Sequence, residues 1–245
     1  MEADATRDKL PAAVLPLSAE GVAVWQADLD RLNDDLLAQM LALLARDELD
    51  RANRFFFEED RNRYVFGRGI LRTLLGTYLA RAPRDLVFAY GPKGKPALAT
   101  ANDEAPPVFF NVAHSEERAL FAFSKTGDVG VDVEQIRDLP DIEEVAASAF
   151  SPSELQLLKD CPADRKQAEF FRAWVRQEAI LKALGAGLGD AREEHGFAVY
   201  PLAVGPEFAA ALAVSPRAAR PERIFDWNET HDGNRTGTKL NFASL

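Results

Sequence analysis

Apolar positions along this chain follow a two-residue period in some stretches and a helical period in others, and the alternation occurs twice. Residues 22–27 (Val-Ala-Val-Trp-Gln-Ala) read as an early strand. Over residues 34–54, Leu36, Leu37, Met40, Leu41 and Leu44 fall at helical spacing. Over residues 61–79, Tyr64, Ile70, Leu71, Leu74, Leu75 and Tyr78 do the same, with Pro83 as the stop. Residues 86–90, 108–112 and 119–123 are predicted strands. The first two are separated by the Gly- and Pro-rich loop 91–96, the last two by the polar loop 114–118.

After a turn at residues 125–128 the order begins again. Val129-Gly130-Val131-Asp132-Val133-Glu134 is a predicted strand. Helices are expected from Pro140 and Asp141, and from Ser151, whose spacing to Glu154 is that of a capping box. A long helix is expected over residues 165–184, ended by Gly185 and Gly187. Residues 197–199 and 208–214 are the last predicted strands, and 215–245 is expected to be a poorly ordered tail because Asn, Asp, Thr and Gly dominate it. The expected fold class is therefore α+β, with an N-terminal half over residues 1–126 and a C-terminal half over 127–214.

The 245 residues, 47% of them apolar, can build one large core or two smaller ones. No run of 18 apolar residues occurs, so no membrane span is expected, and residues 1–8 lack an apolar signal core. The lone Cys161 fits a reducing cytoplasm. A net charge of −10 speaks against nucleic acid or an anionic membrane as general partners. Against that background Arg51, Arg54, Arg61, Arg63, Arg68 and Arg72 form a basic island suited to an anionic small ligand.

Asp132 and Glu134 stand two apart on a strand, so both point to one face while Val131 and Val133 face the other. Two adjacent buried carboxylates repel each other, and a divalent cation would relieve them, which suggests a magnesium site. The plainer reading is the solvent-facing edge of a half-buried strand. Trp174, Glu178 and Lys182 share one face of the long helix. The plainer reading there is an exposed Glu–Lys pair worth a few tenths of a kcal/mol.

Taken together, Gly94-Lys95-Pro96, Phe110-Asn111-Val112-Ala113-His114-Ser115, the 129–134 strand and the run from Trp174 to Leu188 resemble the Sfp-type 4′-phosphopantetheinyl transferase family in order and spacing. The resemblance covers residues 25–188, with a weaker match over 204–214. It implies two similar α+β halves related by a pseudo-twofold, with a ligand cleft between them. It also implies an enzyme that moves the 4′-phosphopantetheine arm of coenzyme A to a serine of an apo acyl or peptidyl carrier protein. Adenosine 3′,5′-bisphosphate is the product released. By resemblance Asp132, Glu134 and Glu178 hold magnesium, Glu178 is the general base, and Lys182 neutralises pyrophosphate charge or protonates the leaving oxygen. Arg63, Lys95, Pro96 and His114 contact coenzyme A, with Arg54 and Arg68 as further candidates, and a monomer is expected.

Three departures from the family pattern are visible. Gln177 stands where a lysine is frequent, Ala113 where a serine is common, and the link after Leu188 is short. Gln177 and the short link motivate an alternative, a catalytically impaired relative that binds coenzyme A or the carrier protein. A third reading is a magnesium-dependent nucleotide hydrolase.

Overall fold

The computed structural model describes residues 17, 21–91, 94–99, 108–185, 196–218, 221 and 224–231. The N-terminal half runs β1 (Val22–Asp28), α1 (Asp34–Leu43), α2 (Arg46–Ala52), α3 (Glu58–Leu79), β2 (Phe88–Tyr90), β3 (Pro96–Leu98), β4 (Phe109–Ser115) and β5 (Arg118–Ser124). The C-terminal half runs β6 (Val129–Gln135), α4 (Ile142–Ala149), α5 (Pro152–Asp160), α6 (Ala163–Leu184), β7 (Ala198–Pro201) and β8 (Phe208–Val214). β9 (Ile224–Asp226) and α7 (Trp227–His231) follow.

The two halves share one plan. Each has a first strand, a helix of 22 residues (α3 or α6), and then an antiparallel strand pair. In each sheet the first strand pairs with the last of the pair: β1 with β5, and β6 with β8, both antiparallel. The sheets are ordered β4-β5-β1-β9 and β6-β8-β7. This is the pseudo-twofold α+β arrangement that the family resemblance implies.

Alternation along the strands assigns each side chain to a layer. Trp25, Phe121 and Phe123 pack toward α3 with Ile70, Leu71 and Leu74. Val24, Leu120 and Ala122, from the opposite face, meet Val131, Val133 and Leu212 in a core between the sheets. The other face of the second sheet packs α6 through Ala211, Ala213, Val175 and Ala179. Two side chains stitch the sheets together along β4 and β6. Asn111 Oδ1 accepts from the Val131 amide at 2.9 Å, and Ser115 Oγ from the Gln135 amide at 3.1 Å.

Two expectations need correction. The predicted helix over 34–54 is two helices, broken where Leu44 and Ala45 turn extended. Glu48 restarts the chain as a helix by accepting from the Ala45 amide at 2.9 Å. The tail is not wholly without structure. Ile224–Asp226 adds a parallel strand to β1, Trp227 is fully buried, and the Asn228 side chain bonds both the amide and the carbonyl of Asp28. The Ile-Phe-Asp-Trp run supplies apolar area that the surrounding polar composition conceals, and Phe225 stacks on Trp25 at 4.8 Å. The short link over 186–195 and residues 232–245 lie outside the described residues.

Candidate active site

The surface on which α6 lies is made of small residues. On β6 and β8, Gly130 faces Ala213, Asp132 faces Ala211 and Glu134 faces Ala209 across the ladder. A Cβ on Gly130 would sit 2.0 Å from the Ala179 carbonyl oxygen and 2.4 Å from the Ala183 amide nitrogen, so only glycine admits the helix there. The helix side of the contact, Val175, Ala179 and Ala183, is also small or short. This close approach sets Glu178 and Lys182 over the carboxylates of β6. Gly185, with φ of 68°, then caps the helix in the left-handed conformation.

Lys182 Nζ donates to Asp132 Oδ1 at 2.5 Å. Asp132 is 3% exposed, and its Oδ2 is buried with no hydrogen-bond partner among the described residues. Burial pushes the Asp132 carboxyl up to about 6 against the pull of Lys182, and the neighbouring charges of Glu134 and Glu178 push the same way. Glu178 is half-buried and its pKa is also raised, by burial first and by Glu134, with Lys182 opposing. Glu134 is fixed by the Ser115 hydroxyl, which donates to Oε2 at 2.9 Å, and Arg137 lies 3.7 Å away. Asp132, Glu134, Glu178 and Lys182 thus form one electrostatic group between β6 and α6.

His114, on β4, feels this group as well. Although the residue as a whole is exposed, desolvation by its neighbours comes first, and with the Lys182 and Arg51 charges it holds the His114 pKa below the usual imidazole range. Among the described residues, no three Asp, Glu, His or Cys side chains converge tightly enough to chelate a metal by themselves. The Lys182 ammonium holds Asp132 instead. The donor set still fits a hard cation that takes two carboxylates and draws its remaining oxygens from a ligand: hard cations prefer carboxylate oxygens, and Asp132 Oδ2 is orphaned.

A cavity of about 360 Å³ opens between the halves, beyond the C-terminal end of α6. Gly91, Lys95, Pro96 and Phe110 line it from one side, and Asp128, Ala183, Leu184 and Gly185 from the other. Lys95 spans it, donating to the Ala183 carbonyl at 2.9 Å, and burial lowers its pKa. None of the four grouped side chains lines the cavity. They lie one residue or more along β6 and α6 from its wall.

Arg63 has other partners. Its guanidinium meets Asp30 at 2.8 and 2.7 Å, Glu59 at 2.6 Å and Glu116 at 3.2 Å. The phosphate contact implied for it would require those carboxylates to yield. Arg68 is likewise committed, to Glu48 and to the Tyr90 hydroxyl at 2.9 Å. Gln177 turns away from the group, donating at 3.0 Å to Glu154 at the start of α5, so its departure from the family pattern touches helix packing. Sequence reasoning did not single out Ser115, Gly130 or Asp128, and it read Arg51 only as part of the basic island. Ser115 and Gly130 stand inside the quoted motifs, and period-2 placement of Gly130 beside Asp132 was the available signal.

A family model described as "4′-phosphopantetheinyl transferase superfamily" matches residues 128–230, and one described as "4′-phosphopantetheinyl transferase, N-terminal" matches residues 31–126. The chain is 38% identical over 214 residues to the 4′-phosphopantetheinyl transferase HetI of Nostoc sp., covering 87% of each. It is 34% identical over 165 residues to a putative 4′-phosphopantetheinyl transferase of Synechocystis sp., covering 67% of this chain and 65% of that one. It is 29% identical over 152 residues to the 4′-phosphopantetheinyl transferase psf-1 of Bacillus pumilus, covering 62% of each. No described helix is long and apolar enough to cross a membrane.

Proposed function

The chain belongs to the 4′-phosphopantetheinyl transferase superfamily, and from that premise we propose that it transfers the 4′-phosphopantetheine arm of coenzyme A to a serine hydroxyl of an apo acyl or peptidyl carrier protein. Adenosine 3′,5′-bisphosphate leaves. The observation that carries this reading is the gathering of Asp132, Glu134, Glu178 and Lys182 around one orphaned carboxylate oxygen, beside a cavity between the halves.

Phosphoryl transfer asks for positioning and charge neutralisation more than for covalent chemistry. Glu178 takes the proton of the incoming serine, and its raised pKa suits a base working near neutral pH. Asp132 and Glu134 would hold magnesium, with Glu178 as the further candidate ligand. Bound magnesium would supply charge neutralisation at the pyrophosphate. Lys182, exchanged from Asp132, turns its ammonium toward the leaving oxygen. Lys95 and Pro96 contact the nucleotide end in the cavity, and His114 and Arg63 the phosphates. The two halves lie in one chain, which supports a monomer, and Cys161 stays reduced in the cytoplasm.

An impaired relative is the weaker reading, because the four charged groups are present and gathered. The test is the mass of an apo carrier protein incubated with coenzyme A, with and without magnesium. The proposal expects one phosphopantetheine added only with magnesium. Coenzyme A binding without transfer to several acyl and peptidyl carriers would favour the impaired relative, and release of phosphopantetheine to water the hydrolase.

A further inference from the structure

The hairpin β2–β3 walls the cavity yet joins neither large sheet. Its tip is closed by the Gly91 amide, which donates to the Lys95 carbonyl at 2.9 Å, and Lys95 ties it to the end of α6. Leu98 and Phe88 seat it on the N-terminal core, with Phe88 5.8 Å from the Phe110 ring, and a charged cluster on α2 and α3 that the proposed chemistry does not use holds it as well. Arg68 donates through Nε to Glu48 at 2.7 Å and through Nη2 to the Tyr90 hydroxyl at 2.9 Å. Its guanidinium also lies 4.8 Å from the Phe88 ring centroid and 6.0 Å from that of Tyr90. Arg72 takes the second oxygen of Glu48 at 2.6 Å and donates to the carbonyls of Pro83 and Leu86, at 2.9 and 3.0 Å. It thereby fixes the chain just before the hairpin.

Glu48 is 1% exposed. A buried carboxylate shared by two guanidiniums gives little net stability compared with apolar packing, but its planar forks fix orientation tightly. The Tyr90 hydroxyl carries that orientation into the strand whose next residue, Gly91, begins the cavity wall.

We propose that Glu48, Arg68 and Tyr90 are positioning residues that set the hairpin wall of the cavity and thereby tune affinity for the nucleotide end of coenzyme A without touching it. The ligand named here rests on the proposed function; the clamp itself does not.

Tyr90→Phe removes only the hydroxyl, and Tyr90 is 45% exposed, so no cavity is left behind. The coenzyme A Kd by calorimetry and its KM should rise about five- to tenfold, the loss of one charge-assisted hydrogen bond, with kcat unchanged within about twofold. Hydrogen exchange should quicken at the Gly91 and Ala99 amides, which bond to Lys95 and Val87 across the hairpin. Arg68→Lys keeps a cation for Glu48 but cannot serve Glu48 and Tyr90 together, so it should give the same rise in KM, with a lower Tm because the fork on buried Glu48 and the contact with Phe88 are lost. Unaltered exchange at those amides together with an unaltered Kd in Tyr90→Phe overturns the clamp, as does a fall in kcat at constant KM. If the wild-type protein fails to bind coenzyme A, the proposed function falls, and the exchange measurement alone decides the clamp.

Discussion

Replacing Gly130 with alanine would place a methyl carbon 2.0 Å from the Ala179 carbonyl oxygen, 2.4 Å from the Ala183 amide nitrogen and 3.0 Å from the Ala183 Cα. All three are backbone atoms of α6, so no side-chain rotation relieves the overlap. Non-bonded carbon contacts settle near ~3.5 Å, so the helix must retreat by roughly 1 Å or more. Overpacking of this kind costs ~1–3 kcal/mol. For a chain of this size each kcal/mol lowers Tm by about 2–4 °C. The retreat also acts on the site, because Lys182 and Asp132, now 2.5 Å apart, ride on the two elements being separated. Misplacing a reacting group by ~1 Å costs on the order of 10²-fold in rate. The assay pairs thermal unfolding with the rate of carrier-protein modification. Gly67→Ala on α3 is the control: beyond its chain neighbours and the local backbone of its own helix no atom lies within 4 Å of the added Cβ, and helix propensity should make it stabilising by ~0.5–1 kcal/mol. A Gly130→Ala protein with wild-type Tm and rate would refute the argument that this glycine sets the helix–strand distance.

Further outcomes follow from the same geometry. The Asp132 carboxyl is raised to about 6 in the fold from 3.8, so between those values the folded protein holds a proton that the unfolded chain has lost. Stability should therefore fall as pH rises from ~4 to ~6, by up to ~3 kcal/mol, and Asp132→Asn should flatten that slope in denaturant titrations. Added magnesium should raise Tm well above pH 6 and have little effect at pH 5, and chelation should abolish both the Tm gain and transfer. Asp30 is held below its usual range by its hydrogen bond to Arg63, so that pair stabilises the fold above ~4 and loses its contribution as pH falls further. Arg63→Met should remove this acid dependence in urea melts; an unchanged acid limb would deny the carboxylate cage a role in stability. Trp227→Ala should cost ~3–5 kcal/mol, read from urea unfolding, since the ring is fully buried against Trp25; a loss under ~1 kcal/mol would contradict the docking of the C-terminal strand.

Local pattern carried some of this architecture and tertiary contact the rest. Period-2 alternation placed Val131 and Val133 in the inter-sheet core and turned Asp132 to the other face, and helical spacing put Glu178 and Lys182 on one side of α6. Ser151 and Glu154 form the expected capping box, with the Ser151 amide donating to Glu154 at 2.9 Å. What spacing could not reveal depends on residues distant in the chain. Arg63 has one partner legible from spacing, Glu59 a helical turn before it, but Asp30 and Glu116, 33 and 53 positions away, also claim it. β9 is three residues long and pairs with β1 across some 200 positions, so no periodicity announces it. The tightness of the α6 contact depends on alanines of β8, invisible as a face until β6 and β8 are in register.

The central claim, that the acids of β6 and α6 carry transfer from coenzyme A to a carrier serine, is tested most directly by one time course. Wild type and Glu178→Gln are each incubated with apo carrier protein, coenzyme A and magnesium, and the carrier mass is followed. The account predicts a phosphopantetheine addition by wild type and a rate lower by ~10²–10⁴-fold in the variant, with coenzyme A binding changed far less. Transfer by Glu178→Gln at the wild-type rate would contradict it.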